Sequence, residues 1–148
     1  MKSFLILILF LTCTNLMGQQ TYDPALAEKL KADEYGMKTY IIAFLKRGPE
    51  VDKYSSEERS EIQQNHMANI QRLATSGKLI LAGPFIEDQE FRGIFLFDVP
   101  TLEEAEALTA TDPAVQAGVL SMDLKKWYGS AALTSIPEVH AKIQKTSF

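Results

Sequence analysis

The sequence predicts an α+β fold in the order β-α-β-β-α-β, and three observations predict it. Four segments are rich in β-branched and aromatic residues and are bounded by glycine or proline: "MKTYIIAFLKRGP", "KLILAGPF", "FRGIFLFDV" and "VLSMDLKKWY". Two segments between them open on helix-capping patterns. The second and third strands are separated only by a short polar turn, which makes them a hairpin. Right-handed crossovers then place both helices on one face of a four-stranded antiparallel sheet, the ferredoxin-like arrangement.

The elements follow in order. The first eighteen residues, "MKSFLILILFLTCTNLMG", have one basic residue, Lys2, then an apolar run from Phe4 to Leu11 and a small residue at the end. That is the layout of a secretory signal peptide, and the run is too short to span a bilayer. Cleavage after Gly18 is expected, giving an exported, periplasmic or extracellular protein. Lipid anchoring at Cys13 is the lesser alternative, because Thr12 is larger than the small residue such sites want. Residues 19–36 form a lead-in segment, helical from Asp23-Pro24 and stopped by Gly36. The domain proper spans 37–130.

Its first strand ends at Gly48-Pro49, and a polar loop leads to Ser55. Ser55 and Glu58 make a capping box, and Ile62, His66, Ile70 and Leu73 follow on one helix face until Gly77 stops the turn. After the hairpin, Pro100 breaks the third strand, and Thr101 with Glu104 makes a second capping box for a helix through about Ala110. "TDPAVQAG" reads as one capped turn, Asp112 as N-cap, Pro113 at N1 and Gly118 as stop, leading into the fourth strand. The tail, 131–148, is weakly amphipathic with a short helix possible over 137–144.

In the strands both alternating sets are apolar: Tyr40, Ile42 and Phe44 against Ile41 and Leu45, and Phe91, Phe95 and Phe97 against Ile94 and Leu96. Two helices bury one face only. The other would leave more apolar surface open than a monomer tolerates, so a homodimer through the sheet face is expected.

Composition narrows the chemistry. Removing the leader takes away the one cysteine, which excludes thiolate chemistry and disulfides. Lys+Arg falls from 15 to 14 against 19 Asp+Glu, a net charge of −5 that argues against a nucleic-acid partner. No later segment approaches a membrane span, so no integral membrane segment is expected in the mature chain. One usable histidine and scattered carboxylates give no metal-ligand spacing, and neither metal nor cofactor is expected. No glycine-rich phosphate loop, P-loop or G-x-S-x-G serine pattern occurs. Of the two histidines, His140 lies in the polar tail, whereas His66 interrupts an apolar stripe. On the residues alone, His66 reads first as a core-edge histidine bonded to backbone or water, and second as an acid–base group. Asp112 reads first as a cap, a role that keeps it charged and leaves it able to orient an imidazole.

Four separated motifs then agree. "FLKRGP", "HMANIQRLATSGKLILAGPF", "FRGIFLFDVPTLEEAEAL" and "ATDPAVQAGVLSMDLKKWYG" resemble, in order and at familiar spacing, the YCII-related family over about residues 37 to 130. The resemblance implies a ferredoxin-like domain pairing as a dimeric α+β barrel, with a histidine–aspartate pair in a pocket between sheet and helices. His66 matches the family's histidine at the head of an H-x-x-x-L segment, with Ile70 in place of leucine, and Asp112 matches its aspartate. Gly83, Pro84 and Gly118 match its turn residues, and with Arg92 they are expected to bind substrate. Ala114 stands where a larger aromatic is common, which leaves the pocket's size and substrate open. Most members have no assigned reaction, and a few relatives resemble muconolactone isomerase or dehydrochlorinating enzymes of aromatic breakdown. The implied function is an isomerase- or lyase-like enzyme acting on a cyclic or lactone-like small molecule through His66 and Asp112. The alternatives are a non-catalytic ligand-binding dimer of the cell envelope, or a purely structural pair.

Overall fold

The computed structural model describes residues 21–87 and 90–146. The leader assigned to 1–18 lies outside the described residues. Four strands, β1 (Met37–Arg47), β2 (Leu79–Pro84), β3 (Phe91–Phe97) and β4 (Leu120–Ser130), form one sheet in the order β2-β3-β1-β4. Every adjacent pair is antiparallel. With α2 (Ser56–Thr75) after β1 and α3 (Leu102–Thr109) after β3, this is the α+β order expected from the strand and cap patterns.

The caps explain where the helices begin. Ser55 accepts from the Glu58 N–H at 3.3 Å, and the Glu58 carboxylate accepts from the Ser55 N–H at 2.8 Å, a complete capping box. Thr101 forms only half of the expected second box. Its hydroxyl accepts from Glu104 N–H at 3.1 Å, but the Glu104 carboxylate accepts instead from Lys78 at 2.7 Å. A cation brought from another element outcompetes the local backbone amide.

The lead-in helix is shorter than expected. It runs as α1 (Pro24–Lys29), capped by Asp23, and ends where Lys31 takes a positive φ of 55°. Gly36, the expected stop, serves a separate turn in which Asp33 accepts from Tyr35 and Met37 N–H.

The main core lies between the sheet and the helices. Ile41, Ala43, Leu45, Phe95 and Phe97 of the sheet pack with Leu73 of α2 and Ala105 of α3. The second face has its own smaller core of Tyr40, Ile80 and Leu96, and here the tail decides what covers it. After a short 3₁₀ turn (Ala131–Ser135), helix α5 (Ile136–Ile143) folds back, so that Leu133 and Ile136 pack on that cluster. The tail therefore covers one end of the face that the alternating apolar pattern left open. Phe44, Phe91 and Phe85 occupy the far end as an edge-to-face aromatic group. Among the described residues no helix is long and apolar enough to cross a membrane.

Candidate active site

His66 projects from the middle of α2 toward the sheet, in the stripe that also carries Ile70 and Leu73, and only 6 % of it is exposed. Its ring stacks on Phe95 of β3, with centroids 5.9 Å apart and planes 15° from parallel. Opposite it, α4 (Pro113–Gln116) starts at Asp112, which is fully buried. One Asp112 oxygen accepts from the Ala114 N–H at 2.9 Å, as an N-cap should. His66 Nδ1 lies 2.7 Å from the other and 3.0 Å from the capping oxygen. An ionised carboxylate has no proton to give, so Nδ1 carries the hydrogen and donates it. Among the described residues no buried side-chain nitrogen or oxygen lacks a partner, and His66 Nε2 makes no hydrogen bond, so that atom is reached by solvent. Nε2 is thus the ring atom left open, with its lone pair free in the neutral ring.

A third buried group joins the pair. Asn69, one turn beyond His66, donates from Nδ2 to the same Asp112 oxygen at 3.3 Å. Its Oδ1 accepts from Arg72 Nη2 at 2.7 Å and from the Thr111 hydroxyl at 3.2 Å, and Arg72 also reaches Thr111 at 2.7 Å. Asn69, Arg72 and Thr111 did not emerge from the sequence reading. The signal was present in α2, where three polar residues follow at intervals of three along the edge of the apolar stripe: His66, Asn69 and Arg72.

The remaining sequence-predicted residues sit around this centre rather than on it. Gly118 ends the Asp112 turn with a φ of +65°. Its carbonyl accepts from the Glu50 N–H at 3.0 Å, and a Cβ on Gly48 would lie 2.1 Å from that oxygen. With Tyr54 Oη donating to the Ala117 carbonyl at 3.1 Å, these contacts pin the turn that carries Asp112. Pro84 pairs with Gly93, two residues along β3 from Phe95 and therefore on the same face. Gly83 pairs with Ile94 on the opposite face, where a Cβ would meet nothing within 4 Å. Arg92 is exposed, and its carbonyl accepts from the Phe85 N–H at 3.0 Å. Neither Gly83, Pro84 nor Arg92 makes a hydrogen bond to the His66–Asp112 pair. His140 lines a separate cleft of about 820 Å³ between α2, β2 and α5, beside Gln64, Met67, Leu81 and Pro137. Among the described residues no three His, Cys, Asp or Glu side chains are grouped to hold a metal ion.

Compared with known families, residues 39–128 match the model of the YCII-related domain. The chain belongs to the YCII-related family. Among solved structures this YCII-related chain is similar to 5-chloro-2-hydroxyhydroquinone dehydrochlorinase from Burkholderia phenoliruptrix AC1100, in complex with 2,5-dihydroxybenzoquinone. The identity is 16 % and the TM-score 0.44, over 61 % of this chain and 93 % of that one. No curated protein matches the chain.

Proposed function

We propose that this YCII-related protein is a small-molecule enzyme in which His66 moves a proton and Asp112 orients and charge-balances its ring. The observation that carries the reading is the buried 2.7 Å contact from Asp112 to Nδ1, which leaves Nε2 as the reactive nitrogen. In the forward step Nε2 takes a proton from a substrate carbon, and the imidazolium then donates through both nitrogens, one of them to Asp112. Returning that proton to a second substrate atom completes an isomerisation. Loss of a leaving group from the adjacent carbon completes an elimination. Both suit a cyclic or lactone-like substrate, and neither needs a nucleophile or a redox group from the protein.

The test is turnover on a panel of lactones and substituted cyclic enols, with mass spectrometry of any ligand the purified protein retains to guide the panel. His66→Ala is expected to lower turnover by roughly 10²- to 10⁴-fold, the usual range for a positioned acid–base group. Turnover equal to the wild type sinks the role. Retained ligand with no product from any compound would instead favour a binding protein.

A further inference from the structure

We propose that Asn69 and Arg72 are positioning residues that set how strongly Asp112 holds a proton on His66. For its effect on turnover this rests on the acid–base reading above, but its effect on the His66 ring does not. The argument starts from the ambiguity of an amide. Asn69 could turn either its oxygen or its nitrogen toward Asp112, and only the nitrogen is tolerable beside a carboxylate. Arg72 removes the choice. A guanidinium has donors only, and at 2.7 Å it claims Asn69 Oδ1, so that Nδ2 is directed at Asp112. The same Nη2 reaches the hydroxyl of Thr111, the residue before Asp112, at 2.7 Å. Arg72 therefore fixes the amide within α2 and ties that helix to the Asp112 turn through Thr111.

The consequence is electrostatic. Asp112 Oδ2 is shared between His66 Nδ1 at 2.7 Å and Asn69 Nδ2 at 3.3 Å, while Oδ1 is held by the Ala114 N–H at 2.9 Å and lies 3.0 Å from the same Nδ1. Each donor besides His66 spreads the carboxylate's charge and weakens its hold on the imidazolium. Arg72, a cation one residue removed, acts in the same sense. Among the described residues, the charged groups hydrogen-bonded into this cluster are Asp112, from the turn before α4, and Arg72 on α2. The strand beneath contributes Phe95, which has no charge. Asn69 is buried and Arg72 exposed, so Asn69 delivers the effect and Arg72 holds it in place.

The experiment follows the Hε1 resonances by NMR as pH is varied in the full-length protein. The chain has two histidines, and His140, on α5, serves as the internal reference. In Asn69→Leu the His66 titration is expected to move upward by about half a unit to one unit. Arg72→Met is expected to give a smaller move in the same direction, with His140 unmoved in both. The double variant is expected to move by clearly less than the sum of the two single shifts, because part of the Arg72 effect passes through the amide. An unchanged His66 titration in both single variants overturns the proposal, and so does full additivity in the double. Arg72→Met changes an exposed side chain, so it decides the matter even where Asn69→Leu fails to fold. Where a substrate is in hand, the acidic limb of the pH–rate profile is expected to move with the NMR midpoint. A titration that moves while turnover is indifferent to His66 would retain the positioning role and reject the catalytic one.

Discussion

At the scale of single residues, Asp112 shows how one carboxylate serves two roles without conflict. As N-cap it gives one oxygen to the Ala114 N–H, while His66 Nδ1 lies 3.0 Å from that oxygen and 2.7 Å from the other, which Asn69 also reaches. Asp112→Asn separates the roles. Asparagine caps helices about as well as aspartate, so the turn before β4 survives, and urea denaturation is expected to show a loss of about 1–2 kcal/mol. With Oδ1 kept on Ala114, however, its amide nitrogen replaces Oδ2, the nearer of the two oxygens to His66 Nδ1 at 2.7 Å against 3.0 Å. Nδ1 must then accept instead of donate, which moves the ring hydrogen to Nε2 and removes the base. Turnover is expected to fall by roughly 10³- to 10⁴-fold, the scale of a wrong-tautomer defect. A variant that keeps wild-type turnover would show that Asp112 is only a cap. The cap was legible in "TDPAV" because capping is local. The contact with His66 was not, since 46 residues separate the two and a family resemblance alone paired them.

At the scale of elements, local chemistry predicted starts better than ends and partners. The Ser55 box formed in full, whereas the Thr101 box lost its second half to Lys78, a residue 26 positions away that no window around Thr101 contains. The lead-in helix stopped at Lys31 before reaching its nominated glycine. The β1–β4 tie was equally hidden. Tyr40 Oη donates to the Ser130 carbonyl at 2.9 Å, and its ring sits 6.0 Å from that of Trp127. Burial, aided by the negative charge of Asp98, pushes the Tyr40 phenol from 10.0 up to about 12. The native state therefore keeps a proton that the unfolded chain releases above pH 10. Its contribution to stability is complete below 10 and is lost as pH rises through about 12. Urea denaturation between pH 8 and 11 is expected to show falling stability, with a shallower fall in Tyr40→Phe. The slope persists in part there, because Tyr128, hydrogen-bonded to Asp33, is also raised. At pH 8 the loss of the Ser130 bond is expected to cost the variant about 1 kcal/mol. An unaltered alkaline slope would count against Tyr40 as its source.

At the scale of the whole molecule, the question raised by two apolar sheet faces is half answered. The tail covers Tyr40, Ile80 and Leu96 in cis, a role its weak amphipathicity did not announce, because the surface it packs on is assembled from three distant strands. At the other end Phe44, Phe91 and Phe85 group together, and the neighbouring Ile86 is 96 % exposed. We propose that a second copy covers this end, with the Phe44 row of the sheet at its centre. Phe44 lies between Ile94 of β3 and Asp123 of β4 on that face, so a charge there meets the partner without entering the core on the helix side. Light scattering of the full-length protein is expected to give twice the chain mass, and Phe44→Lys to give the chain mass with little change in unfolding midpoint. A wild-type monomer would remove the second copy. A dimer that survives Phe44→Lys would move the contact to the outer side of α5, where Val139 and Ile143 are also exposed. Because His66 and Asp112 face the helix side, the monomeric variant is further expected to keep the His66 titration of the wild type. A shifted titration would mean that the partner completes the site.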